Sequence, residues 1–457
     1  MADAETFQRR QFALRPGAAV AGLFAVLLAD AGNASAEAPS LNRAAGGELV
    51  SKASEKLARK TSKPAGAASA FPMRPVKVMT RDEILASDPA TLERIGRHIV
   101  IGYHSPATMR ALVEKKAIAG IFITDHNVRR RSVADIRSEI DALQALRARQ
   151  GLPPLIIAAD QEGGAVSRLS PPLARQPSLA RVLAAVKPGE DPKSAVVAYA
   201  RKQASELQRI GVNLNFSPVV DLKIDPKRRS DGETQLRYRA LSADPRAVSE
   251  AAGWYCDTLA ETGIYCTIKH FPGLGRVTLD THRHTGDIKT PVMELQGADW
   301  VPFRELMGKP HVVTMLAHVR LRELDAEKPA SFSTSVIDGL IRTEWKHEGL
   351  LITDDLSMGA VTRSGAGVGG AAVAALKAGA DLILVSFSDK HFNTVLSALI
   401  EANKTGVFDK GISAASHRRL THVPAAHAPI PLPEKKPSSP VGHPAGPAGS
   451  AAKTAGP

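Results

Sequence analysis

The feature that most constrains this chain is a series of eight short apolar runs spaced through its middle. They are Arg97–Tyr103, Ala119–Thr124, Pro154–Asp160, Val212–Ser217, Tyr265–His270, Val312–His318, Gly349–Asp355 and Ala380–Ser386. All are rich in Ile, Val and Leu and lack a clean in–out alternation, as expected of strands buried on both faces. The stretches between them carry helical spacing instead. Ile136, Ile140, Leu143 and Leu146 recur every three or four residues, with Ser132 placed to cap the helix and Gly151 to close it. Further Ala-rich helices are predicted over Ser194–Ile210, Ala247–Thr262 and Gly369–Ala378. Eight strands alternating with helices predict an α/β fold, a TIM-type (β/α)8 barrel forming a single catalytic domain. A doubly wound sheet is the alternative, but no glycine-rich phosphate loop follows the first strand.

In a barrel, functional side chains collect at the C-terminal ends of the strands. The run ends therefore nominate site residues before any further consideration. They are Asp160, Asn215, Lys269-His270, His318 and Asp354-Asp355. A barrel that served only as a scaffold would not need ionisable groups gathered at one rim.

The barrel is expected over residues 76–423. Ahead of it, Arg9-Arg10 precede an apolar stretch from about Gly17 to Leu28 and an Ala34-Ser35-Ala36 small–x–small site. Residues 1–36 thus read as a twin-arginine-like signal peptide, too short to span a bilayer, and imply a periplasmic protein; without it the cytoplasm is the alternative. Residues 37–75 and the Pro/Ala-rich 424–457 lack apolar periodicity and read as a disordered linker and tail. The formal net charge is +13. Much of it falls in the linker, where Arg43, Lys52, Lys56, Arg59, Lys60, Lys63 and Arg74 face only Glu37, Glu48 and Glu55. That placement, together with an aromatic content of 4% and no binding motif, argues against nucleic acid as a partner. Cys256 and Cys266 are the only cysteines and form no CxxC, so no thiol-based metal or redox site is expected. They are either one disulfide or two buried thiols.

Three segments concentrate chemistry. One is Lys269-His270-Phe271-Pro272-Gly273-Leu274-Gly275-Arg276, leading to Asp280-Thr281-His282. The second is Thr353-Asp354-Asp355-Leu356-Ser357-Met358. The third is Asp160-Gln161-Glu162-Gly163-Gly164, followed by Arg168. Singly they say little, because Asp354-Asp355 could cap a helix and Lys269-His270 could be a salt-bridged rim. In this order, with Asn215-Phe216-Ser217-Pro218-Val219-Val220-Asp221, Arg239 to Pro245 and Pro329 to Ser333, they resemble glycoside hydrolase family 3 in its single-domain β-N-acetylglucosaminidase branch. The resemblance implies a retaining enzyme acting on terminal β-linked N-acetylglucosamine of peptidoglycan-derived fragments. It implies Asp354 as nucleophile, His282 paired with Asp280 as acid/base, and Asp160, Arg168, Arg239, Lys269 and His270 as sugar contacts. It also implies no cofactor or metal, an oligosaccharide as partner, and a monomer.

The chemistry is consistent with the residues themselves. Glycosidic cleavage needs one group to attack the anomeric carbon and another to protonate the leaving oxygen. A carboxylate at a strand end suits the first role, and a histidine the second. An aspartate two residues earlier can fix the imidazole's tautomer. The sequence departs from the branch at Leu274, where a second His is usual, and at Arg276, where an Asp is usual. Both lie in the loop leading to the dyad. The same fold would also accommodate a phosphorylase, or a muropeptide-binding protein without catalysis.

Overall fold

The computed structural model describes residues 76–224, 234–386, 389–408, 410–421 and 456. The expected leader, linker and (residue 456 apart) tail lie outside the described residues. Eight parallel strands form the centre: β1 (Ile99–Gly102), β2 (Gly120–Ile123), β3 (Ile156–Ala159), β4 (Leu214–Asn215), β5 (Tyr265–Phe271), β6 (Val312–Leu316), β7 (Leu351–Thr353) and β8 (Ile383–Val385). They pair in the order β7-β6-β5-β4-β3-β2-β1-β8. The ring closes between β7 and β8, where Ile352 bridges Leu382 and the Leu356 amide donates to the Leu384 carbonyl at 3.0 Å.

The absence of alternation in the sequence has a direct physical cause. Val100, Phe122, Ile156, Ala158, Val313, Met315, Ile352 and Leu384 pack together inside the barrel. Their chain neighbours Ile99, Ile101, Ile121, Ile157, Val312 and Leu351 pack outward against the helices. Both faces of each strand are therefore dry, and both must be apolar. Every observed strand lies within one of the eight runs, except that β5 continues one residue further, to Phe271. The helices follow equally closely, at Val133–Arg149, Pro192–Ile210, Pro245–Ala260 and Gly367–Ala378. Ser132 caps the first through the Asp135 amide, and Pro192 and Pro245 follow Asp caps, where a missing N–H is harmless.

Cys256, in the Pro245–Ala260 helix, is bonded to Cys266 on β5 with their Cα atoms 5.3 Å apart. Of the two readings of this pair, the structure takes the disulfide. Among the described residues no helix is long and apolar enough to cross a membrane.

Candidate active site

The C-terminal rim of β3 and β5 holds a cluster of four charges. Lys269, only 3% exposed, places its ammonium 2.6 Å from Asp160 Oδ1 and 2.6 Å from Glu162 Oε1. Arg239 grips Glu162 with two donors, Nε at 2.8 Å and Nη2 at 2.7 Å, and gives Nη1 to the Thr234 carbonyl at 2.8 Å. Burial alone would raise the Glu162 carboxyl, but Arg239 and Lys269 overturn this and hold it well below the usual carboxylate range. Burial alone would likewise discharge Lys269, yet Asp160 and Glu162 keep its ammonium above its ordinary value. Glu162 is thus an anchored anion and unsuited to give up a proton. The tight turn that presents it requires glycine: at Gly163, φ is +88° and a Cβ would stand 2.1 Å from the Pro177 carbonyl oxygen.

His270 continues the cluster. Its Nδ1 lies 2.7 Å from Asp221 Oδ2, and its Nε2 lies 3.4 Å from Arg239 Nη2. Asp221 is fully buried and also accepts the His270 amide at 3.2 Å and the Leu274 amide at 2.6 Å. One carboxylate therefore fixes both the imidazole and the start of the following loop.

Asp354 emerges from β7, with its amide donating to the Leu316 carbonyl at 2.9 Å. Its carboxylate accepts the Asp355 amide at 2.8 Å and has no ion pair among the described residues. Burial alone would raise its pKa, but the imidazoles of His270, His318 and His282 and the Asp355 amide together hold it below the ordinary value. His318 is fully buried. Its Nε2 lies 3.0 Å from the Asp355 carbonyl, which can only accept, so that nitrogen carries a proton; Nδ1, 2.8 Å from Ser331 Oγ, accepts from it in the neutral ring and donates to it in the imidazolium. Burial leads in lowering the His318 pKa.

Asp280 and His282 sit on the loop after β5. Asp280 Oδ1 accepts from His282 Nδ1 at 2.9 Å, from the His282 amide at 3.0 Å and from Thr234 Oγ1 at 3.2 Å. The loop rests on the segment that follows the nucleophile candidate. The Gly359 amide donates to the His282 carbonyl at 2.7 Å, and Thr285 Oγ1 donates to the Ala360 carbonyl at 3.0 Å. A Cβ on Gly359 would lie 2.8 Å and 2.9 Å from the carbonyl oxygens of His282 and Arg283.

The two departures from the family pattern are packed rather than solvated. Leu274 is buried, and Arg276 pairs with Asp299 at 2.8 Å and Glu294 at 2.7 Å. The beginning of that loop is held by Trp300 Nε1, which donates to the Pro272 carbonyl at 3.1 Å.

The structure thus brings Asp160, Arg239, Lys269 and His270 together, and it sets Asp354 within electrostatic reach of His282 and His270. Arg168 stands apart. Its side chain is exposed, and its backbone amide donates to the Asp160 carbonyl at 3.1 Å. Asn215 is spent on structure, exchanging two 3.0 Å hydrogen bonds with the Gln161 backbone. Sequence reasoning gave no role to Asp221, although it lies inside the segments that carry the resemblance.

The model of the glycosyl hydrolase family 3 N-terminal domain matches residues 91–423. A β-hexosaminidase of Mycobacterium tuberculosis, LpqI, is 31% identical over 330 residues, covering 70% of this chain and 80% of that one. Among solved structures, a glycoside hydrolase family 3 β-N-acetylglucosaminidase from a Paenibacillus species superposes with a TM-score of 0.67 at 29% identity, covering 73% of this chain and 61% of that chain. A family 3 glycosyl hydrolase from Mycobacterium smegmatis superposes with a TM-score of 0.64 at 30% identity, covering 75% and 98%.

Proposed function

The chain belongs to glycosyl hydrolase family 3, and on that premise we propose that it is a retaining exo-β-N-acetylglucosaminidase acting on peptidoglycan-derived fragments. Its class is that of the β-N-acetylhexosaminidases, in keeping with its relatives. The observation that carries the reading is Asp354: a carboxylate held below its ordinary pKa at a strand end, with no ion pair among the described residues and within electrostatic reach of His282, which Asp280 orients. In the first step Asp354 attacks the anomeric carbon while His282 protonates the departing oxygen through Nε2, Asp280 orienting the ring through Nδ1. In the second step the same imidazole takes a proton from water, which hydrolyses the glycosyl ester and restores Asp354. The Asp160–Lys269–Glu162–Arg239 cluster and His270–Asp221 set the shape and charge of the sugar side.

A 2-fluoro sugar with a good leaving group should trap the intermediate, and mass mapping should place it on Thr353–Leu356. Label on any other peptide overturns the assignment of Asp354. N-acetylglucosaminyl-anhydromuramyl fragments test the substrate. Release of free N-acetylglucosamine supports hydrolysis, release of a sugar 1-phosphate in phosphate buffer marks a phosphorylase, and no turnover marks a binding protein.

The proposal extends to location. The twin-arginine-like leader points to export, and the Cys256–Cys266 bridge suits an oxidising periplasm. Replacing Arg9 and Arg10 by Lys should retain the protein in the cytoplasm; undiminished periplasmic recovery would remove that route.

A further inference from the structure

On the barrel face opposite the active site there is a cavity of about 660 Å³. Its walls include Tyr265, which begins β5, Val312, which begins β6, and Leu350, which precedes β7, so it opens at the N-terminal ends of the strands. We propose that this cavity binds a small multivalent oxyanion, one bearing phosphate or carboxylate groups.

Charge is the first ground. Arg304, Lys309, Lys346, Arg418 and Arg419 line the cavity against the single acidic residue Glu348. Part of this charge is already met: Lys309 pairs with Asp257 at 2.8 Å, and Arg419 pairs with Asp381 at 2.8 Å while reaching Glu348 at 3.5 Å. Arg304 lies over the Trp345 ring at 5.4 Å, and Lys346 is exposed at the lip. A concave surface lined by one sign of charge focuses its field on an incoming counter-ion. Arginine forks suit the oxygens of phosphate and carboxylate alike.

The second ground is independent of charge. His347 is 6% exposed and Trp345 half-buried, and both line the cavity. Among the described residues, the buried His347 Nε2 and Trp345 Nε1 atoms have no hydrogen-bond partner. Leaving such groups unsatisfied is unfavourable; both atoms are closed off from solvent, so a small turn of either ring toward the cavity would give it an oxyanion oxygen to bond. Burial pushes the His347 imidazole down to about 3, so the ring is neutral at physiological pH and Nε2 offers a hydrogen bond rather than a charge. Size is the third ground. A single phosphate fills only a small part of this volume, which lies in the range of small-molecule pockets. The indole of Trp345 gives a larger ligand an apolar surface.

The test titrates the whole enzyme with tripolyphosphate and, separately, with citrate, following heat and tryptophan fluorescence. The double variant Arg304→Glu/Lys346→Glu is compared with Lys187→Glu/Lys193→Glu, which makes the same charge change at exposed residues outside the cavity. Unliganded melting temperatures check that both variants fold. We expect one saturable site, weakened at least tenfold in the first variant and little changed in the second. Binding of tripolyphosphate alone assigns the phosphate class, and comparable binding of citrate extends the site to carboxylates. Absence of saturable binding, equal weakening in both variants, or displacement by N-acetylglucosamine would overturn the proposal.

Discussion

At the barrel mouth, Glu162, Lys269, Arg239 and Asp160 hold each other through four contacts of 2.6–2.8 Å, and the two residues at the centre, Lys269 and Glu162, are 3% and 6% exposed. On the loop after β5, His282 is 39% exposed and its ring nitrogen Nδ1 is held by Asp280. The first region is fixed by mutual desolvation, and removing one charge strands the others. The second is positioned by backbone, through Gly359 and the Asp280 turn, while its ring stays open to solvent. The difference fits the two tasks proposed for these residues. Sugar recognition needs a rigid, pre-formed field, whereas a group that gives and takes protons must reach both leaving oxygen and water.

The largest expected effect breaks the rigid side. Glu162→Ala leaves Arg239 and Lys269 without their shared anion, and losing one member of such a buried pair costs about 3–5 kcal/mol. A drop of that size in the free energy of urea unfolding should appear. The Glu162 carboxyl is depressed, so its contribution is complete above the ordinary carboxylate range and fades only as pH falls well below it. A variant as stable as the parent would show that the cluster is not what fixes this rim.

His282→Ala tests the open side, with the opposite signature. Stability should scarcely change, because the ring is substantially exposed. Glycosylation of natural disaccharides, whose leaving groups are poor, should slow by about 10²–10⁴-fold, while nitrophenyl glycosides should be affected far less. Asp280→Ala should follow the same leaving-group pattern more mildly. Equal slowing for good and poor leaving groups would remove His282 as the acid.

Sequence pattern revealed the two regions unequally. The eight strands were legible because both faces of each are dry, so composition alone marks them. Asp354, Lys269 and His270 were legible because strand ends are where a barrel works. The partnership of Lys269 with Glu162, and of His270 with Asp221, was not, since it joins positions 107 and 49 residues apart that only barrel closure brings together. Leu274 shows a further limit: its side chain is simply buried, while its backbone amide, which no side-chain pattern reports, anchors the loop to Asp221.

Gly359→Val sharpens the comparison without touching a charge. Its Cβ would lie under 3 Å from two carbonyl oxygens of the dyad loop, so the loop must shift. Misplacing a catalytic group by about an ångström can lower rate by up to about 10²-fold; a loss of about tenfold is expected, larger for poor leaving groups. Sugar binding, measured by inhibition with N-acetylglucosamine, should stay near the parent value. Equal losses in both would mean that the two regions move as one.

The smallest effect concerns Asp354, whose carboxylate feels the imidazoles of both regions. As the proposed nucleophile it must be ionised to attack, so activity should fall as pH drops through its pKa. Because that pKa is held below its ordinary value, the acid limb of kcat/KM should lie below about pH 3.8, the usual aspartate range. Three imidazoles contribute, and His318 alone among them is fully buried and belongs neither to the dyad nor to the sugar-side cluster. His318→Asn keeps an N–H donor for the Asp355 carbonyl but carries no charge in any state. Burial should then weigh more heavily on Asp354, and the acid limb should move to higher pH by less than about one unit, equivalent to less than about 1.4 kcal/mol. The plateau rate at neutral pH should change little, since the nucleophile is ionised there in both forms. A limb that moves to lower pH would show that His318 acts on Asp354 by something other than its electrostatic pull on the carboxylate.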